Sequence, residues 1–437
     1  MDHSGQNKIG YWGAVSIGVG GMVGGGIFAV LGLAVQLAHG GTPIAFAIAG
    51  GVALLTSYSY AKLSVRFRSQ GGTIIFLDRA FGVDLFTGTL NILLWLSYIV
   101  MLALYAYAFG SYGATFVAPD RYEETRHILI TAGILVPAVI NTLNAGIIGR
   151  TETYIVAIKV AILLLFVAAG LFGVSAASLE PAAWAPATSL VAGGMMIFVA
   201  YEGFELIANS AEDLRNPAKT LPRAFYSSVG FVLVLYVLIA IVAVGSLPVA
   251  KIVKAKDYAL AVAAEPFFGH AGFVIISVAA LLSTFSAINA TLYGSVRLSY
   301  TIAKEGELPE FLEKKVWNKH IEGLLITATL SVLLANIGHL ESISTMGSAG
   351  FLLIFAAVNA ANVRLHRETG SRCWVSILGT AACLSALGAL VWHTLQSKPD
   401  RLWALAALLG LAVGIEAAYR LVGRELNLPR DDAREIG

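Results

Sequence analysis

Stretch after stretch of this chain is apolar over about twenty residues, and that pattern leaves few folds open. The stretches run near 11–36, 43–66, 83–117, 127–146, 151–175, 188–213, 223–246, 271–303, 321–338, 344–363, 373–395 and 402–422. A run of about 20 apolar residues crosses a hydrocarbon core roughly 30 Å thick when it is helical. Backbone N–H and C=O groups find no water there, so each stretch must bond within itself as a helix. Composition agrees: 57% of 437 residues are hydrophobic and 13% are charged, against about a quarter charged in a typical soluble domain. The expected fold is an all-α polytopic membrane protein of 12 transmembrane helices, with residues 1–437 as a single integral-membrane domain. The first stretch is too long and glycine-rich for a cleaved leader, so it is expected to stay.

Charge placement predicts orientation. With both termini inside, the inner loops and tails hold 21 of the 29 lysines and arginines, the outer loops hold 7, and Lys159 completes the set. A three-to-one bias toward the cytoplasmic side fits both termini inside and an even number of crossings. The inner run Lys304 to Glu322 is too polar for lipid and is expected to be a surface helix or linker. On the outside, 257–269 reads as a short amphipathic helix.

Lys159 lies in the apolar run Tyr154-Ile-Val-Ala-Ile-Lys-Val-Ala-Ile-Leu-Leu-Leu-Phe166. A helix starting near Thr151 puts it about 12 Å into the core, near the midplane. Snorkelling cannot carry an ammonium from there to water, so the group needs an internal partner or must lose its proton. A charge at that depth costs from about 3 to over 10 kcal/mol, so a functional role is the better reading.

Two stretches carry interruptions. The first contains Gly18-Val-Gly-Gly-Met-Val-Gly-Gly-Gly26, and each glycine costs up to about 1 kcal/mol of helix propensity. The sixth contains Ala200-Tyr-Glu-Gly-Phe-Glu205, two carboxylates and a glycine within an apolar run. These are the opening members of two successive groups of five, 11–175 and 188–363, followed by helices 11 and 12 at 373–422 and a tail at 423–437. Interrupted helices at matching positions of two halves point to a transporter with an inverted repeat and a midplane site. Half-helix N-termini suit an anion, so the N–H groups of Gly24, Gly25 and Gly26 are candidates for a substrate carboxylate. Unwound carbonyls suit a cation, which makes those near Met22, Val199 and Glu202 candidates for an amine. An anion and an ammonium one carbon apart describe an α-amino acid.

Other chemistries fit less well. A dinucleotide-binding loop needs a preceding strand and an acid about 20 residues on, whereas no Asp or Glu occurs between Asp2 and Asp78. The glycines can also serve close helix packing. Cys373 and Cys383 fall ten residues apart in one stretch, and the eight histidines lack metal-ligand spacing, so no disulfide framework, metal or cofactor is expected. No buried nucleophile, base and metal cluster suggests an enzyme. A cation channel would need a continuous polar pore, which a midplane lysine would oppose.

Four motifs in order carry a family likeness. They are Gly21-Met-Val-Gly-Gly-Gly-Ile-Phe28; Arg68-Ser-Gln-Gly-Gly-Thr-Ile-Ile-Phe-Leu-Asp-Arg-Ala-Phe-Gly82; Ala200-Tyr-Glu-Gly-Phe-Glu205 with Glu212-Asp-Leu-Arg-Asn-Pro217; and Ser283-Thr-Phe-Ser-Ala-Ile-Asn-Ala-Thr-Leu-Tyr293 leading to Arg297 and Lys304-Glu-Gly-Glu-Leu-Pro309. Along nearly its whole length the chain resembles the amino acid, polyamine and organocation superfamily, and within it the proton-coupled permeases of the ApcT kind. The resemblance implies a LeuT-type fold of two inverted five-helix repeats with broken helices 1 and 6. It also implies that Lys159 places an ammonium where sodium-coupled relatives hold a cation, beside carbonyls around Gly18 and Val19 and the hydroxyl of Ser283 or Ser286. Related exchangers carry a lysine there too, so symport and exchange of amino acids or polyamines both stay open. Glu205 matches a common family acid, suited to sensing protons or to joining spans one and six.

Departures from the family pattern bear on the substrate. Val199 stands where many relatives have an aromatic lid, leaving Tyr201 or Phe204 to supply one, with Tyr98, Tyr105 and Tyr107 as pocket candidates. Glu202 replaces an apolar or small residue. If it points into the cavity, a cationic substrate or a diamine is indicated; if it points away, neutral amino acids are. The expected partners are thus an amino acid, protons and the lipid bilayer, with no nucleic acid, in the cytoplasmic membrane. Nothing in the residues fixes the oligomeric state.

Overall fold

The computed structural model describes residues 8–143, 148–304 and 321–423, and most of these residues are helical. The predicted surface segment between Lys304 and Glu322 and the tail at 423–437 lie largely outside the described residues. In order the helices are α1 (Tyr11–Met22), α2 (Gly26–Ala38), α3 (Thr42–Arg66), α4 (Thr73–Phe81), α5 (Leu85–Ala114), α6 (Tyr122–Leu143), α7 (Ile148–Gly170), α8 (Ala187–Met196), α9 (Pro217–Ser246), α10 (Val249–Lys254), α11 (Ala259–Lys304), α12 (Ile321–Ile337), α13 (Leu340–Arg364), α14 (His366–Thr369), α15 (Cys373–Ser397) and α16 (Leu402–Gly423). A 3-10 helix, Phe198–Ser210, follows α8. Two isolated β-bridges, Ile9 with Leu214 and His39 with Trp184, are the strand-like pairings among the described residues.

Nine of these helices are long and apolar enough to cross a membrane, and two bent pairs bring the count to eleven. The pairs are α1 with α2, bent by 45°, and α8 with the 3-10 helix, bent by 40°. They are the first and sixth of the predicted spans. The ninth, α12, has 17 residues. At 1.5 Å per residue it is about 25 Å long, at the lower limit for a span.

Burial orders the bundle. The most apolar window of α5 is 94% buried, against 28% for α15 and 22% for α16. The α5 helix is therefore an interior pillar, and the last two helices are peripheral. At its start the Asp84 carboxylate accepts from Phe86 N at 2.9 Å and Thr87 N at 3.0 Å, while Thr87 Oγ1 accepts from Asp84 N. This capping box satisfies helix-terminal donors that a span cannot leave open. Those bonds, that from Thr87 first, hold the Asp84 carboxyl below its usual range.

Polar side chains fasten α15 to the bundle. Asn359 on α13 bonds Ser59 and Thr56 on α3, Asn362 bonds Ser376 on α15, and Thr56 meets the Cys383 thiol. In lipid, such interhelical bonds and close packing replace the hydrophobic drive that water would supply. At the predicted amphipathic segment, residues 259–268 are helical and Gly269 then breaks the line of α11 with φ 60° and ψ −152°. Only glycine adopts that backbone without steric strain. Ala259, Leu260, Ala261, Ala263 and Ala264 are all buried.

Candidate functional site

The break between α1 and α2 comprises Val23, Gly24 and Gly25. Its neighbours leave no room for side chains there. A Cβ at Gly24 would stand 2.8 Å from Ala287 Cβ, one at Gly26 would stand 2.8 Å from Ala200 Cα, and one at Gly25 would enter the Tyr105 ring. Gly21 and Gly203 face each other in the same way, since a Cβ on Gly21 would lie 2.7 Å from the Gly203 carbonyl oxygen. The glycines thus bring two broken spans into backbone contact, and the packing role weighed from sequence operates alongside any ligand role.

Three helices supply polar groups to the free ends at this break. Lys159 on α7 is 1% exposed, and its Nζ donates to the Gly20 carbonyl at 3.0 Å. Ser283 on α11 donates to the Val23 carbonyl at 2.9 Å. Tyr236 on α9 donates to the Met22 carbonyl at 2.6 Å and lies 3.4 Å from that of Ala200. The bonds from Lys159 and Ser283 fall beyond the two carbonyls singled out from sequence. Val19 O accepts from Val23 N within the helix, at 2.8 Å. Gly18 sits where a Cβ would meet Ile207 and Ser228. Ser286, one turn from Ser283, is buried on the same helix.

The sixth span breaks earlier than its carboxylates suggest. Helix α8 ends at Met196, and Ala200–Glu205 lies inside the 3-10 helix. Ser344 and Ser348 on α13 both donate to the Met196 carbonyl, at 2.7 and 2.8 Å, and Ser348 Oγ accepts from Val199 N at 3.0 Å. The side chains of Tyr201 and Phe204 do not line the cavity described below. Tyr201 donates to the Phe46 carbonyl at 3.0 Å, and the Phe204 ring packs 5.2 Å from Phe355 and 5.4 Å from Tyr60.

The two glutamates of this segment have different surroundings. Glu205 accepts from Tyr98 on α5 at 2.9 Å, Tyr60 on α3 at 3.1 Å and Thr73 on α4 at 3.4 Å. It joins the 3-10 helix to α3, α4 and α5, whereas the sequence suggested spans one and six. Glu202 accepts from Tyr105 at 3.3 Å. Both belong to the buried interior, but Glu202 also lines a cavity of about 140 Å³ with Ser16, Ile17, Gly20, Tyr105 and Thr291 among its neighbours. That is well above the roughly 30 Å³ of a water in the liquid and below the roughly 300 Å³ where pockets for drug-sized ligands begin. It suits a small solute.

Tyr60, Thr73, Tyr236, Ser344 and Ser348 were not singled out from sequence as site residues. A faint signal existed at Tyr236, a lone polar tip in the apolar run 231–240. Its hydroxyl carries a testable load: Tyr236→Phe leaves the Met22 carbonyl without this donor and is expected to lower stability by about 1 kcal/mol. Thermal unfolding in detergent, read beside substrate affinity, should fall in both respects; unchanged values in both would remove Tyr236 from the site.

The profile of the amino acid permease family matches residues 9–413. The chain belongs to that family. It is 39% identical over 392 residues to protein MJ0609 of Methanocaldococcus jannaschii, covering 89% of each chain. It is 34% identical over 410 residues to the inner membrane transport protein YbaT of Escherichia coli, covering 93% of this chain and 95% of that one. A methylthioribose transporter of Bacillus subtilis is 26% identical over 438 residues, 94% and 92% of the two chains. This permease is therefore a multi-pass membrane transporter and not an enzyme.

Proposed function

We propose that this permease imports amino acids across the cytoplasmic membrane by alternating access, driven by protons through Lys159. The observation that carries the reading is the buried Lys159 amine on the Gly20 carbonyl, next to the break between α1 and α2. A charged donor makes a hydrogen bond roughly twice as strong as a neutral one. Protonation therefore tightens the tie between α7 and α1, and loss of the proton loosens it. A proton equilibrium linked in this way to the position of α1 shifts the populations of outward- and inward-open states.

The rest of the architecture supports this cycle. Interrupted first and sixth spans fit a LeuT-type pair of inverted five-helix repeats, 11–175 and 188–363, within a total of twelve spans and with both termini inside. In that orientation the cavity lies on the cytoplasmic side of the break, against the N-terminal half of span one. The other half is closed: residues 26 to 35 of α2 are all buried. An inward-facing state has this asymmetry. The substrate carboxylate is assigned to the N–H groups of Gly24, Gly25 and Gly26, and its α-amine to carbonyls at Met22, Val199 and Glu202, with Tyr105 on the pocket wall.

The test is uptake of a panel of labelled amino acids into proteoliposomes, with and without an imposed inward proton gradient. Concentrative uptake that depends on the gradient is expected. Uptake that needs substrate loaded inside and ignores pH would make the protein an exchanger.

A further inference from the structure

Glu202 is a buried carboxylate that the protein leaves incompletely served. Glu205, three residues on, has hydroxyl donors on both oxygens: Tyr98 on one, Tyr60 and Thr73 on the other. For Glu202 the hydrogen bond among the described residues is that from Tyr105 to Oε1 at 3.3 Å, and no ion pair among those residues includes it. Its side chain is 6% exposed and borders the cavity of about 140 Å³. Ile17, Leu206, Ala287 and Ala290 make much of the remaining wall apolar. A carboxylate in such a recess is held in its ionised form only when a cation accompanies it.

An amino acid's own ammonium does not fill this role, because the reading above already assigns it to backbone carbonyls at the breaks. We propose that the Glu202 carboxylate receives a second ammonium, carried by the substrate, so that the permease selects short diamino compounds. This rests on the transport reading above and adds the substrate class. The volume of about 140 Å³ favours a short chain between the two amines over a long one. The Tyr105 hydroxyl holds one carboxylate oxygen and leaves the other for the incoming N–H donors. Specificity follows from the same geometry, since an uncharged isostere would leave the carboxylate unpaired on binding.

The test uses the purified full-length permease and three probes: L-2,4-diaminobutyrate, its uncharged isostere L-2-aminopentanoate, and 1,3-diaminopropane, which keeps the spacing of the two amines and lacks the carboxylate. Binding and proteoliposome uptake are measured for the wild type and for Glu202→Gln. The wild type is expected to prefer diaminobutyrate over aminopentanoate at least tenfold, and Glu202→Gln to bring that ratio to about one. A preference for the uncharged isostere in the wild type, or an unchanged ratio in the variant, overturns the proposal while leaving amino acid transport standing. If none of the probes and none of the common amino acids binds, both readings fall. Diaminopropane binding as tightly as diaminobutyrate identifies the source as diamines; a requirement for the carboxylate identifies diamino acids. Should Glu202→Gln fail to fold, the wild-type ratio decides.

Discussion

Gly203→Ala is expected to abolish uptake and to destabilise the folded protein by about 1 to 3 kcal/mol, the range for forcing a methyl group into a filled interior. The added Cβ would stand 2.6 Å from Met22 N and 2.7 Å from Gly21 O. These are backbone atoms at the end of α1, so no side-chain rotation can make room. The two broken spans would have to separate where Tyr236 bridges them, with its hydroxyl 2.6 Å from Met22 O and 3.4 Å from Ala200 O. Loss of transport with a lowered unfolding temperature is the predicted pair of results. Gly230→Ala is a suitable control, because nothing lies within 4 Å of a Cβ there. Wild-type uptake by Gly203→Ala would show that the crossing tolerates separation.

The bundle was legible because lipid permits so little. A run such as 85–114 must be a helix whatever its neighbours, and its interior position affects only which helices it touches. The first break was also local, since Gly24, Gly25 and Gly26 weaken the helix in their own right. The sixth was misplaced for the opposite reason. Its visible irregularity, the pair Glu202 and Glu205, lies within the 3-10 helix, and the true end of α8 at Met196 is served by Ser344 and Ser348 from a helix almost 150 residues away. No local pattern marks such a contact. The partners of Glu205 were hidden in the same way, because Tyr60, Thr73 and Tyr98 come from three other helices.

Lys159 combined the two cases. Its burial was expected from its place in the apolar run, whereas its bond to the Gly20 carbonyl, one residue beyond the two that the family likeness suggested, was not. The shift matters mechanically. Gly20 also lines the cavity with Glu202, so the lysine bonds the part of α1 that borders that cavity. Coupling between proton and substrate then needs no long pathway, only a different position of one half-helix in the two states.

Removing the amine should therefore uncouple transport instead of merely weakening it. On the proposed mechanism, Lys159→Ala takes the amine donor from the Gly20 carbonyl and with it the link between a proton on α7 and the position of α1. Substrate can still reach the break, because its assigned contacts are backbone groups of other residues. The most direct measurement compares wild type and Lys159→Ala in proteoliposomes under an imposed inward proton gradient, with substrate binding measured in parallel. The expected result is concentrative uptake by the wild type and none by the variant, which still binds substrate; equal dependence on the gradient in both proteins would contradict proton coupling through this lysine.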